Sequence, residues 1–201
     1  CCGRTMISKG LLDEAKKNVD FNTDLLYKYV EQGIKIVGVE ASCMSSMQDE
    51  FPDLATDKSK AKQISENTFT VQDLLMQIHD DGKQQINWNA TAKNLLLFVH
   101  CHERALDGTS NSLGSLNLPN EFNANLIDAG CCGMAGSFGM EKEHYDISKK
   151  MAEDRLLPAI NNSSTEEEII VTGISCHDQI DDLSNKKPKY LVEVLAEAID
   201  S

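Results

Sequence analysis

A chain of 201 residues is long enough for one α/β domain or for two small lobes with a core. Its 32 acidic residues outnumber 19 scattered basic ones, a net charge of −13; this argues against a nucleic-acid or anionic-membrane surface, which needs a basic footprint. No apolar run approaches the length of a membrane span, the densest being residues 94–100.

The chain opens on Cys1-Cys2-Gly3. Leu11, Ala15, Val19, Leu26 and Val30 recur at helical gaps and predict a helix over 11–30, with Gly33 as its terminator. Ile34-Lys35-Ile36-Val37-Gly38-Val39, β-branched and bounded by glycine, predicts a buried strand, and Ser42-Cys43 follows just past its end. Residues 52–67 are polar and read as a loop or short helices. Thr70-Val71-Gln72-Asp73 resembles a helix start, with Val71, Leu74, Leu75 and Ile78 as the apolar face and Asp81-Gly82 as the end.

The second half repeats this order with a strand in front. Leu95-Leu96-Leu97-Phe98-Val99 predicts a strand that delivers His100-Cys101-His102 at its C-terminal end. A polar loop over 108–120 precedes a strand over 124–129, which runs into Gly130-Cys131-Cys132-Gly133. A helix is expected from near Gly139 through Tyr145, Ile147, Met151, Ala152 and Leu156 to about Pro158. A strand over 169–172 leads to Ser175-Cys176, and Leu191, Leu195 and Ala198 mark a closing helix. The acidic run Glu166-Glu167-Glu168 reads as a solvated loop. Strands alternating with helices imply α/β lobes with mainly parallel sheets, in which ligands collect beyond the carboxyl ends of strands. Cys43, Cys101, Cys131, Cys132 and Cys176 all fall there.

Six of the seven cysteines belong to a repeated frame: Cys-Cys-Gly, then an apolar run ending in Ser-Cys. The seventh, Cys101, precedes Cys131 by thirty positions, and its counterpart for the first pair would lie upstream of residue 1. The frame divides the chain into a first repeat over 1–85, incomplete at its N-terminus, and a complete second repeat over 86–201. Adjacent cysteines do not readily bond to each other, and an odd count in a chain of this size fits reduced, cytosolic thiolate ligands. Soft thiolates select zinc, copper(I) or iron–sulfur clusters. The Cys-x-x-Cys spacing usual for zinc is missing, whereas vicinal cysteines can grip different corners of a cluster with several irons. The flanking glycines leave room for sulfide and offer amide donors, and a helix soon after the second pair would favour its thiolates.

These residues resemble the cysteine-rich CCG domain family, found in heterodisulfide reductase B subunits, the iron–sulfur subunit of glycolate oxidase and related respiratory proteins. The resemblance is greatest to the C-terminal part of FAD-linked, iron–sulfur D-2-hydroxyacid dehydrogenases of the D-lactate and D-2-hydroxyglutarate type. It is carried by Cys1-Cys2-Gly3-Arg4, Gly38-Val39-Glu40-Ala41-Ser42-Cys43, His100-Cys101-His102-Glu103-Arg104, the run from Gly130-Cys131-Cys132-Gly133 to Gly139, and Gly173-Ile174-Ser175-Cys176. It implies two pseudo-equivalent lobes, the first lacking an upstream strand and cysteine. It implies a 4Fe-4S cluster on Cys101, Cys131, Cys132 and Cys176, with Cys1, Cys2 and Cys43 forming part of a second site. It implies electron transfer from FAD, carried on another domain or subunit, toward a quinone or carrier protein. Such a module is cytoplasmic or peripheral to the membrane through a partner. No Gly-x-Gly-x-x-Gly loop follows a predicted strand, so the flavin and substrate sites are expected elsewhere and the isolated chain is expected to be inactive. In the heterodisulfide branch the last cysteine begins a Cys-x-x-Cys; here Ser46 and Gln179 take the fourth position. A structural zinc module and a thiol–disulfide enzyme using the vicinal pair are the alternative readings.

Around the cysteines, Gly133 lies against the cofactor in this reading, and His102 and His177 are expected to hydrogen-bond a cluster sulfide rather than ligate iron. His100 takes the same part or is a satisfied buried histidine at a strand end. Arg4 and Arg104 offset cluster charge, steer an anion or form surface ion pairs. Glu40 is expected to cap the next helix, and His79 and His144 to face solvent from helices. The glycines of 133–139 wrap a cluster rather than a phosphate, since the lysine of a phosphate loop is missing.

Overall fold

The structure, a computed structural model, describes residues 1–83, 86–88 and 91–199. Its contacts divide the chain into two compact units, Cys1–Val71 and Gln72–Ser201. The boundary expected between residues 85 and 86 falls on Gln85, outside the described residues. Both units are α/β, and every ladder between strands is parallel.

In the first unit a short helix α1 (Arg4–Ser8) precedes the long α2 (Leu12–Val30). Ala15, Val19, Thr23 and Val30 form the buried stripe of α2. Val19 and Val30 join Phe51, Ala55, Ala61 and Ile64 in one core. Leu11, which begins the apolar pattern, is the exposed residue before the helix. Then follow β1 (Ile36–Gly38), α3 (Ala41–Ser45), a π-helical turn (Ser46–Glu50), α4 (Phe51–Leu54), α5 (Lys58–Glu66) and β2 (Thr68–Thr70). The run expected as a buried strand is corrected here. Only 36–38 pair, with β2 alone, and Val37 and Val39 are 40% and 59% exposed. A strand is buried when neighbours flank both of its edges and helices cover both faces. Among the described residues β1 has a ladder on one edge.

The second unit holds α6 (Val71–Asp81, beginning on the last residue of the first), β3 (Lys93–Phe98), α7 (Cys101–Leu106), α8 (Ser110–Leu116) and β4 (Phe122–Leu126). After a 3-10 turn (Phe138–Met140) come α9 (Tyr145–Asp154), α10 (Leu156–Asn161), β5 (Glu167–Val171), α11 (Ile174–Leu183), β6 (Lys189–Tyr190) and α12 (Leu191–Glu197). The sheet order is β4-β3-β5-β6, so β3 and β5 are central. Alternate residues of β3 and β5 enter opposite cores, as a strand with period two requires. Leu95, Leu97 and Ile170 pack with Leu116 of α8 and Leu191, Val194 and Leu195 of α12. Phe98, Ile169 and Val171 pack with Leu156 and Ile160 of α10 and Ile180 of α11. Each such fully buried side chain stabilises the unit by about 1.5–3 kcal/mol relative to exposure.

Several expectations are corrected in this unit. The fourth strand lies at 122–126 rather than 124–129. The polar stretch 108–120 contains α8, whose Ser112, Ser115 and Leu116 are buried. Helix α9 begins at Tyr145, not near Gly139, and buries Ser148 and Ala152 while Tyr145, Ile147 and Met151 are exposed. Pro158 does not stop the helix; it is the third residue of α10, where its missing N–H would have had no intrahelical partner. The most buried residues of α6 are polar, Gln72 and Asp73, partnered by Glu103 and Asn111, while Leu75 of its expected apolar face packs partly buried against the Leu95 core. Glu167 and Glu168 are not in a loop but open β5, where Glu168 meets Lys93 and Lys189. Among the described residues no helix is long and apolar enough to cross a membrane.

Candidate metal centre

Three adjacent parallel strands of the second unit end on the same side, and each hands the chain to a cysteine. After β3, His100 caps α7, whose first residue is Cys101. After β5, Gly173 caps α11, whose third residue is Cys176. After β4, the Ile127 amide still bonds to Leu97 O, and the chain then leaves the sheet toward Cys131 and Cys132. The loops beyond strand ends are thereby forced into one place, as in other open parallel sheets.

There the thiols neighbour one another in series, Cys131 beside both Cys101 and Cys132, and Cys132 beside Cys176. Cys132 and Cys176 are buried, while Cys101 and Cys131 are half-buried. The Gly133 amide donates to Cys131 Sγ at 3.3 Å, the Ala135 amide also faces that sulfur, and the Met134 amide faces Cys132. Left-handed φ angles at Gly133 (100°), Ala135 (41°) and Gly136 (71°) turn these successive amides inward. A run of backbone N–H groups so folded is a nest for negative charge. An added Cβ at Gly133 would also collide with the Ser148 carbonyl, so the loop lies directly on α9.

Hydrogen bonds from Cys101 and Cys132, aided by the amides of Gly133 and Ala135, hold Cys131 far below the ordinary thiol range. The same sharing with Cys131 pushes Cys101 and Cys132 well above it, and burial adds to the rise. The set thus favours one thiolate by itself, because further negative charges would crowd into a poorly solvated space. Positive charge from a bound metal group is what lets such a set ionise fully. Among the described residues no three or more His, Cys, Asp or Glu close on a position for a metal ion as they stand; the contacts run from thiol to thiol. Four neighbouring soft donors under inward-facing amides fit an iron–sulfur cluster in donor type and in the hydrogen bonding its sulfurs need. The helix expected to favour the vicinal thiolates starts too late for that; it is Cys101 and Cys176 that occupy first turns.

Other side chains brace the site. Arg104 donates through Nη1 to Ala129 O and through Nη2 to Gly130 O at 2.6 Å, with its guanidinium 5.8 Å from the Phe98 ring. It is therefore not a surface ion pair. Gln179 Nε2 donates to Cys132 O at 2.9 Å and to Ser148 Oγ at 3.0 Å. His100 is buried: Nδ1 accepts from the His102 amide at 3.2 Å, and Nε2 lies 3.4 Å from Ser175 Oγ. The His102 ring meets His100 edge-on at 5.1 Å, and His177 stacks on Tyr190 at 4.8 Å. His79 is exposed, whereas His144 is corrected: it precedes α9, half-buried, stacked on Phe138 at 4.0 Å. Sequence reasoning missed Glu103, which is buried beside Cys101 and accepts from Gln72 Nε2 at 2.8 Å and from Ser112. Its one visible signal was a carboxylate directly within the cysteine motif.

The first unit builds a related but smaller group. Cys2 Sγ lies in hydrogen-bond contact with Cys43 Sγ at 3.2 Å, and the Gly3 amide, with φ 91°, donates to Cys1 Sγ at 3.4 Å. Cys43 sits in the first turn of α3, which Glu40 caps by accepting from the Ser42 amide. The contact with Cys43 lowers Cys2 to about 6 and pushes Cys43 up, with burial adding to the rise. Cys1 is exposed, and Arg4 binds Ser46 Oγ at 2.8 Å and pairs with Glu50.

Comparison with known proteins singles out the same part of the chain. Residues 95–181, which include Cys101, Cys131, Cys132 and Cys176, match the family described as the CCG cysteine-rich domain. The chain is 25% identical over 202 residues to a subunit of the anaerobic glycerol-3-phosphate dehydrogenase of Escherichia coli K12, covering 99% of this chain and 49% of that protein. It is 24% identical over 200 residues to D-2-hydroxyglutarate dehydrogenase of Pantoea ananatis, covering 98% of this chain and 19% of that protein. The D-2-hydroxyglutarate dehydrogenase of Haemophilus influenzae is 25% identical over 211 residues, with the same two coverages. The chain thus spans about half the length of the first relative and a fifth of the other two.

Proposed function

We propose that this chain, which carries a CCG cysteine-rich domain over residues 95–181, is the iron–sulfur electron-transfer module of a flavin-linked dehydrogenase. The observation that supports it most is the series Cys101, Cys131, Cys132, Cys176 assembled at three strand ends beneath a nest of backbone amides. A bound cluster would supply one-electron storage between a two-electron flavin and a quinone or carrier protein. The chain's own groups would do the rest. The four thiols would hold the irons. The amides of Gly133, Met134 and Ala135 would hydrogen-bond sulfur and so set the potential. Half-buried Cys131, beside Gly130, Ile147 and Met151 in a cavity of about 380 Å³, would be the edge nearest a partner.

FAD and the substrate site belong on another domain or subunit, and the acid oxidised is a 2-hydroxy acid or a comparable secondary alcohol, in keeping with the relatives' names. The module works in the cytoplasm, reaching a membrane only through a partner. His102 and His177 are assigned hydrogen bonds to cluster sulfur, and Cys1, Cys2 and Cys43 part of a second site. The test is anaerobic purification with iron and sulfide analysis, visible absorption, and EPR before and after reduction. Acid-labile sulfide, a broad visible band and a signal that appears or disappears on reduction are expected. One zinc per chain with no chromophore would replace this reading with a structural zinc module.

A further inference from the structure

Strand order brings the three thiol-bearing segments together, but it does not set the spacing of their sulfurs. The segment from 127 to 137, which carries Cys131 and Cys132, lies outside helix and strand. Its carbonyls must find donors, since unpaired buried backbone groups are costly. The donors come from a specific place. Arg104 stands three residues after Cys101 on α7, and Gln179 three residues after Cys176 on α11. Residues three apart share a helix face, so each of these side chains emerges beside the cysteine of its own helix. Arg104 takes the two carbonyls before Cys131, those of Ala129 and Gly130. Gln179 takes the carbonyl of Cys132 and fastens it to Ser148 of α9.

Both helices that hold the outer thiols therefore reach across to the loop that holds the inner two. The residue types suit the task. A guanidinium fork holds two carbonyls at once, which an ammonium does not. Gln179, only 4% exposed, satisfies its donors on Cys132 and Ser148 without adding charge next to the thiols. The first unit has the same link in other residues: Ser46, three after Cys43, accepts from Arg4, which directly follows Cys1-Cys2-Gly3.

We infer that Arg104 and Gln179 are positioning residues that fix the spacing between the vicinal thiols and the thiols of Cys101 and Cys176, and through it the retention and electronic state of the bound cluster. This rests on the iron–sulfur reading, so the test has two arms. In the first, wild type, Arg104→Gln, Arg104→Lys and Gln179→Leu are reconstituted anaerobically. Iron release to a chelator and the EPR spectrum of the reduced state are then recorded. Release about 10- to 100-fold faster for Arg104→Gln and Gln179→Leu is expected, with altered EPR g-values and unchanged far-UV circular dichroism. Arg104→Lys keeps the charge but not the fork, and is expected between these and wild type.

The second arm uses the metal-free chain and follows alkylation of Cys132, which is 3% exposed in the wild type. Loosening the loop is expected to speed it about tenfold in the same variants. Wild type that takes up no iron and sulfide would overturn the cluster reading, and the alkylation arm would then decide the positioning role alone. Folded variants with wild-type iron release, EPR and alkylation would overturn the positioning role.

Discussion

Gly133 packs its bare α-carbon against Ser148 of α9, with a left-handed φ of 100°. Gly3, its counterpart beside Cys1 and Cys2, has φ 91° but ordinary van der Waals distance to Ala15 for an added Cβ, 3.5 Å at the nearest atom. The two substitutions should therefore differ. Gly3→Ala carries the left-handed strain alone, about 1–2 kcal/mol. Gly133→Ala adds a backbone collision worth about 1–3 kcal/mol more. Urea unfolding of the metal-free chain is expected to rank them so, and equal losses would show that the Ser148 contact relaxes freely.

Cys132 neighbours two thiols, those of Cys131 and Cys176, and is deeply buried, while Cys43 belongs to the smaller group. Cys132→Ser is expected to remove most of the iron bound per chain, and Cys43→Ser to leave most of it. Iron and sulfide analysis after gel filtration reads the difference; equal loss would mean that the thiols of the two units serve one centre.

Burial raises the Glu103 carboxyl above the usual carboxylate range despite hydrogen bonds from Ser112 and Gln72. A raised folded-state pKa means that its proton is held more tightly folded than unfolded. The stability it contributes is present below the unfolded carboxylate pKa and is lost as pH rises through the folded value. Glu103→Gln keeps an acceptor for Gln72 and Ser112 without the charge. Its advantage in thermal midpoint over wild type is expected to grow from acid toward neutral pH, as differential scanning calorimetry would record. A constant offset would show that Glu103 titrates normally.

Lys93, at the start of β3, lies 2.6 Å from Glu197 of α12 and 3.5 Å from Glu168 of β5, and Lys189 meets both carboxylates. These lysines hold the Glu197 carboxyl below its usual range. Partly exposed ion pairs contribute little, so Lys93→Gln is expected to cost about 0.5–1 kcal/mol in dilute buffer. In about 1 M salt the loss should shrink, because charges are screened over a few ångströms there. Denaturant melts at two salt concentrations would test this.

The pattern of residues along the chain was enough for the α/β class and for the centres of the two inner strands, expected at 95–99 and 169–172 and found at 93–98 and 167–171. Leu95 to Val99 are apolar at consecutive positions because both faces of β3 are covered, and vicinal cysteines beside glycine are a chemical signature independent of fold. The same reasoning misjudged the 34–39 run, since β-branched residues announce a strand but not how many neighbours flank it. It began the next helix near Gly139, whereas α9 begins at Tyr145 and buries Ser148 and Ala152, the former directly against Gly133.

Local sequence by itself determined which residues bring soft thiol donors to the strand ends, because that depends on side-chain chemistry and on spacing along the chain. Only the tertiary structure decided that Arg104 and Gln179 grip the loop between the cysteines, and that Glu103 is buried beside them. An arginine, a glutamine or a glutamate is ordinarily a surface residue. What each does here depends on which carbonyls and hydroxyls the parallel order β4-β3-β5 brings within a hydrogen bond of it, and no short-range pattern encodes that order.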